Sequence, residues 1–239
     1  NSITMNDISK IISELVKQYD QMDISGLIIH CPYWMNKMKD GKVILRGYAN
    51  GKGSAKEIKE ELVKRLHNLS SELRFEITQE NLRKFARREK IGIDCSGIAY
   101  RVLDELLRLS FGNTKFKNLD EIFDGGITKT NAKRLTGLLY CIEIRNIKDF
   151  RIGDMIRLWG GEHIAIIIEV SDQKIIYAHS SSVSTKIQGV HTSVVRIIRK
   201  YKPLEDQTWE EKTSSSDNFG KKRFNPEKGD GVFRLKIFN

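Results

Sequence analysis

Gly153 to Ser180 reads GDMIRLWGGEHIAIIIEVSDQKIIYAHS, and its periodicity decides the fold. Met155 to Leu158 and His163 to Val170 are strand-like, with Gly160-Gly161 between them. Ser171-Asp172-Gln173 then turns the chain into Lys174–Ser180 as a hairpin. Val190 to Ile198 predicts a further strand, and Val232 to Phe238 alternates well enough for a closing one. Upstream, the period changes. Asp94 is placed to cap a helix whose apolar positions Ile98, Val102, Leu103, Leu106 and Leu107 define one buried face. A helix followed by an antiparallel meander indicates an α+β fold.

Working outward, Ile8, Ile11, Ile12, Leu15 and Val16 recur at helical spacing after Asn6-Asp7. Gly26 to Ile29 suggests a strand entering a loop, and Asn50 to Gly53 a turn. Ser54 with Glu57 has the capping-box pattern, so a helix is expected to run to about His67. Thr78 caps another through roughly Arg88. Gly112 to Gly126 reads as a loop-rich insertion, followed by a helical turn near Asn131–Leu135. The stretch from Thr208 to Gly231 is polar. No internal repeat emerges. The expected organisation is a helical and loop extension over 1–77 packed on the core, a core over 78–205, and a polar loop with its closing strand over 206–239.

The chain has 239 residues, 39% of them hydrophobic and only 3 of them proline, which is enough apolar material for a core and argues against a linker-dominated chain. The longest aliphatic run, Ile164–Ile168, is far too short to cross a membrane. No secretory signal is recognisable after Asn1. Both an exported, processed form and a cytoplasmic one stay open, as does the oligomeric state. The net charge of +10 favours acidic partners. It is concentrated at Arg83–Lys90 and Lys186–Lys202, which read first as solvated faces.

Three cysteines without a C-x-x-C pair make neither a disulfide framework nor a cysteine-based zinc site, and no metal or cofactor is expected. Cys141 reads as a small buried hydrophobe. Cys95 differs, because Gly92-Ile93-Asp94-Cys95-Ser96-Gly97 places it just inside a helix start. There the unsatisfied N–H groups and the dipole favour a thiolate and would point at an oxyanion. A nucleophile needs an oriented base. Of the five histidines, His67 and His191 read as surface residues and His30 as a satisfied loop residue. His163 opens the most apolar strand. Ile175, Tyr177 and His179 share a face across the hairpin, so either His179 or Tyr177 is placed to fix the His163 tautomer, with His179 the better candidate.

Asp94-Cys95-Ser96-Gly97, then Gly153-Asp154-Met155-Ile156, then Glu162 to Ile167, then Ile175 to Ser180, resembles the NlpC/P60 cysteine peptidases over roughly Thr78 to Lys200. The resemblance implies a papain-like fold and hydrolysis of amide bonds in cell-wall peptides, typically between D-γ-glutamyl and diamino-acid residues. It makes Cys95 the nucleophile, His163 the base and His179 (or Tyr177) the orienting residue. Asp94 and Ser96 of the motif, with Tyr177, count among the candidate substrate-binding residues. The chain departs from the family pattern at Glu162, Ala165 and Phe85, the last standing where a tyrosine hydroxyl often approaches the cysteine. Tyr33 is a candidate replacement.

Tyr33, Trp34 and Arg46 either pack against the catalytic layer or line the substrate cleft. The expected partner is a peptidoglycan-derived peptide, with no specific nucleic acid. Two other readings compete: a different papain-like amidase (CHAP-type or transglutaminase-like), and a non-enzymatic basic binding module. Lys174–Ser180 lacks the Asp a transglutaminase needs, and no nucleic-acid motif is recognised.

Overall fold

Ser54, Thr78 and Asp94 start helices where the sequence places them, while the first helix begins at Met5, ahead of the expected Asn6-Asp7. In a computed structural model of the chain, which describes residues 4–69, 75–112, 118–182 and 184–239, α1 (Met5–Asp20) and α2 (Ala55–His67) each open with a reciprocal capping box, Thr4 with Asp7 and Ser54 with Glu57. Between them lie two hairpins, β1 (Met22–Ile24) with β2 (Leu27–Ile29) and β3 (Lys37–Lys39) with β4 (Lys42–Leu45). The second hairpin escapes sequence reading because it buries almost nothing and so carries no inward-facing apolar stripe. Thr78 caps α3 (Gln79–Arg88), and Asp94 caps α4 (Cys95–Phe111) by accepting from the Gly97 N–H at 2.7 Å. A short α5 (Ala132–Leu135) follows; the predicted insertion lies partly outside the described residues.

One seven-stranded antiparallel sheet organises the rest: β5 (Cys141–Glu143), β6 (Met155–Leu158), β7 (His163–Val170), β8 (Lys174–Ser181), β9 (Gly189–Arg196), β10 (Thr208–Trp209) and β11 (Gly231–Leu235). Their order is β10-β9-β8-β7-β6-β11-β5. The period-two reading of β7 holds in three dimensions. Ile164, Ile166 and Ile168 pack with Ala99, Val102 and Leu103 of α4 and with Ile12 and Val16 of α1. Ala165 and Ile167 pack on the other face with Tyr177, Trp209 and Phe219, the last on α6 (Phe219–Arg223). The architecture is mixed α+β, with α1 and α4 on one face of the sheet and the chain from Leu204 to Phe224 on the other.

Both ends of the chain are therefore structural parts of the core. Residues 1–77 supply α1, and a separate cluster joins α2, α3, Ile91, Ile93 and Val190. The closing strand is an interior strand, since β11 pairs with β6 on one side and β5 on the other. Arg234 on β11 fastens it by donating to both Asp154 carboxylate oxygens, Nε to Oδ1 at 2.7 Å and Nη2 to Oδ2 at 2.8 Å, and to the Asp149 carbonyl at 2.6 Å. Among the described residues no helix is long and apolar enough to cross a membrane.

Asp154 and Arg234 are both almost fully buried. Removing one partner strands the other charge in hydrocarbon, which costs about 3–5 kcal/mol. Asp154→Asn is expected to lower the urea-unfolding free energy by that amount, and a loss under about 1 kcal/mol would contradict the fastening role.

Candidate active site

Cys95 is the first residue of α4, behind the extended cap residue Asp94. Its surroundings are packed and polar. Ile93 bridges Lys52, and the Asp94 N–H donates to Gly51 O at 3.0 Å, which draws the segment before α2 against the helix start. That approach explains Gly97: a Cβ there would lie 2.7 Å from Ile93 Cγ1 and 3.1 Å from Gly51 O. The buried Lys52 ammonium donates to Asp94 Oδ1 at 2.6 Å and to the Ser96 hydroxyl. Asp94 and Ser96 are thus buried and committed to the cap and to Lys52. They hold the nucleophile's platform and present no surface to substrate.

The thiol does not behave as a helix start alone predicts. Burial, reinforced by the Asp94 charge, pushes Cys95 up to about 12, while Lys52 and the backbone N–H groups of Ile164 and Ser96 pull it down only in part. Desolvation outweighs the helix end because Cys95 is only 6% exposed. The Ile164 N–H belongs to the residue directly after His163, so the sulfur sits near the start of β7. No direct hydrogen bond joins the sulfur to the His163 ring among the described residues.

His163 is joined instead to a buried chain of polar groups. Its Nε2 lies 2.7 Å from His179 Nδ1. His179 Nε2 lies 3.0 Å from Glu211 Oε1 and 3.0 Å from His191 Nε2, and His191 Nε2 lies 2.9 Å from the same carboxylate oxygen. The His191 Nδ1–H donates to Gly189 O at 3.0 Å, and the Tyr177 hydroxyl donates to Glu211 Oε2. Burial and the neighbouring His179 ring hold His163 well below its ordinary value. Burial alone would raise Glu211, but His179 and His191 outweigh it and keep the carboxyl far below the usual range.

Of the two candidates for the third position, His179 meets His163 and Tyr177 does not. Tyr177 is fully buried with its hydroxyl spent on Glu211, so it contacts no substrate. His191, read from sequence as a surface residue, is 2% exposed. His67 is exposed, and His30 bonds Asp20 at 2.7 Å and Val190 O at 3.1 Å. Cys31 and Cys141 are buried, the latter against Leu135 O at 3.0 Å.

Two further groups of side chains bear on substrate access, and neither Cys95 nor His163 lines the cavity formed by the first. Tyr33 and Trp34 line a cavity of about 250 Å³ together with Met35, Lys37, Arg83 and Arg87. Burial, then the charges of Cys95 and Asp94, push the Tyr33 hydroxyl upward, and that hydroxyl donates to Met35 Sδ at 3.5 Å. Phe85, in contrast, lies in the core between α2 and α3. Arg46 stands apart at the surface, donating to Asn50 Oδ1 at 2.8 Å. In the second group, Trp159 is half-exposed with the Arg223 guanidinium 4.1 Å from its ring centroid.

No family model, curated protein or solved structure matches the chain. Lys52, His191 and Glu211 are the site residues the sequence did not disclose. Lys52 and Glu211 sit among many look-alike charges, and burial is their only distinguishing property. His191 is paired with His179 across β8 and β9, a pairing that only the folded register brings about.

A thiol held at about 12 and reacting only as thiolate gives a definite pH profile. Higher pH makes more nucleophile, so the rate of Cys95 alkylation is expected to rise about tenfold per pH unit from neutrality to pH 10. Lys52→Met removes a cation that lowers the thiol and is expected to slow alkylation at every pH. Mass-resolved iodoacetamide kinetics decide this; a plateau below pH 8 would show a thiolate already formed at rest.

Proposed function

We propose that the protein is a cysteine hydrolase of papain-like build that cleaves amide bonds in peptidoglycan stem peptides through an acyl-enzyme. The reading rests on one observation: a cysteine at a helix start meets the first residues of the strand whose leading histidine is held by a second histidine and a buried carboxylate. Because His163 Nε2 faces His179, Nδ1 is the nitrogen left for the Cys95 proton. The resting pair is neutral. Attack requires the sulfur to turn from the Ile164 N–H towards His163, give up its proton to Nδ1 and add to the carbonyl carbon. The imidazolium then protonates the leaving amine, and water releases the acid in a second half-reaction.

Each neighbour has work in that sequence. The first N–H groups of α4 lack intrahelical acceptors and face the developing oxyanion. His179 accepts from His163 Nε2–H and passes the imidazolium's charge towards Glu211. Tyr33 and Trp34 line the cleft wall, and Lys37, Arg83 and Arg87 give it a positive rim suited to the free carboxylates of a stem peptide.

Defined stem peptides incubated with the protein and resolved by mass spectrometry test the proposal. Cleavage at a D-γ-glutamyl–diamino acid bond is expected, abolished in Cys95→Ser and reduced roughly 10²–10⁴-fold in His163→Ala. Cleavage that persists in Cys95→Ser refutes the mechanism. Cleavage restricted to other amides refutes the substrate class.

A further inference from the structure

Behind His163, three donor atoms from three segments converge: His179 Nε2 on β8, His191 Nε2 on β9 and Glu211 Oε1 just after β10. Their mutual distances are 3.0, 3.0 and 2.9 Å, and all three residues are buried. The outer atoms are already fixed. His191 Nδ1–H is spent on Gly189 O, Glu211 Oε2 accepts from Tyr177, and His179 Nδ1 faces His163. A neutral His191 therefore turns a lone pair from Nε2 towards a carboxylate oxygen. The His179 proton can relieve one edge of this triangle only. The remaining edge, between His191 Nε2 and Glu211 Oε1, is relieved either by a second proton on His191 or by a cation held among the three atoms.

We propose that His179, His191 and Glu211 bind one zinc-class divalent transition-metal ion, and that the ion switches off the Cys95 centre. Two imidazoles and a carboxylate suit such ions, and each ligand already has the outer hydrogen-bond partner that orients metal-binding groups. Ligands at about 2.0–2.2 Å around a tetrahedral ion stand roughly 3.3 Å apart, so the triangle has to open by only a few tenths of an ångström. An exogenous water completes the coordination.

The switch follows from proton positions and rests on the amidase reading; the metal site does not. Without metal, His179 Nε2–H donates to Glu211, Nδ1 accepts from His163 Nε2–H, and His163 Nδ1 is free to take the thiol proton. With metal on Nε2, the single proton of His179 moves to Nδ1 and points at His163 Nε2, which becomes the acceptor. The His163 proton then occupies Nδ1, and the ring has no site left for the proton of Cys95. The two rings exchange tautomers without losing a proton, and any extra proton on His191 Nε2 is released to solvent.

The test uses chelator-dialysed Cys95→Ser protein, which removes the candidate nucleophile's thiol. Titration with Co²⁺ is expected to give one ion per chain, visible ligand-field bands without thiolate charge transfer, displacement by Zn²⁺ and a raised Tm. Glu211→Gln is expected to weaken binding roughly tenfold or more. Long-range proton–nitrogen spectra of the unmutated triad need no further variant, and should show the His163 proton moving from Nε2 to Nδ1 as Zn²⁺ is added. No stoichiometric Co²⁺ uptake by folded protein overturns the site. Uptake without the tautomer exchange overturns the switch. Both results standing while metal-free wild type cleaves no stem peptide would refute the amidase reading alone.

Discussion

A carboxylate shut away from water governs this molecule. Glu211 has almost no access to solvent, and an ionised carboxyl in that position is tolerable only if every oxygen lone pair is met. Tyr177 meets one oxygen and His179 the other, and His191 Nε2 lies 2.9 Å from that second oxygen. These partners come from β8 and β9, while Glu211 follows β10 at the sheet edge. The demand for partners therefore fixes the register of three neighbouring strands as well as the ring of His163. A one-residue slip of β8 would turn Tyr177 and His179 to the α4 face and leave the carboxylate bare. Sheet register and site geometry are one constraint.

The same logic operates at the helix start. Lys52 is a buried ammonium held by Asp94 and Ser96, and it reaches α4 only because Gly51 and Gly97 allow the two segments to touch. Its charge partly offsets that of Asp94 next to the sulfur. Two buried polar clusters thus lie on either side of one strand end. One fixes the sulfur's platform and the other the imidazole. Such clusters specify geometry more than they add stability, because partnered buried charges roughly break even against hydrocarbon.

What the sequence discloses follows from range. The helices capped by Ser54, Thr78 and Asp94 are local events, written within four residues of each cap, and they form where the caps stand. β7 is legible because its alternation reflects burial on both faces. The Lys37–Leu45 hairpin left no pattern, since nothing covers it. His191 and Glu211 were illegible for the opposite reason. Their meaning arises from a contact with His179 across 12 and 32 positions, and a single polar residue in a strand or a polar loop does not announce that it will be buried. The thiol's acidity was misjudged because a helix start is a local feature, whereas desolvation is set by the whole fold.

That last correction bears on mechanism. A thiol held at about 12 rather than the ordinary 9.0 resists deprotonation by about 4 kcal/mol, and His163, depressed by its own burial, is a reluctant acceptor. An ion pair at rest would leave two charges in a site that solvates neither well. A neutral pair avoids that cost and keeps the sulfur inert towards adventitious electrophiles. In the proposed mechanism the charges are created only as a carbonyl is attacked, when the oxyanion, the imidazolium and Glu211 are present together in fixed alternation. Electrostatic stabilisation is greatest when donors are aimed at charge that develops in the transition state. On that reading a buried anion two rings behind His163 supplies this, because Glu211 gains a nearby cation only when His163 takes the proton.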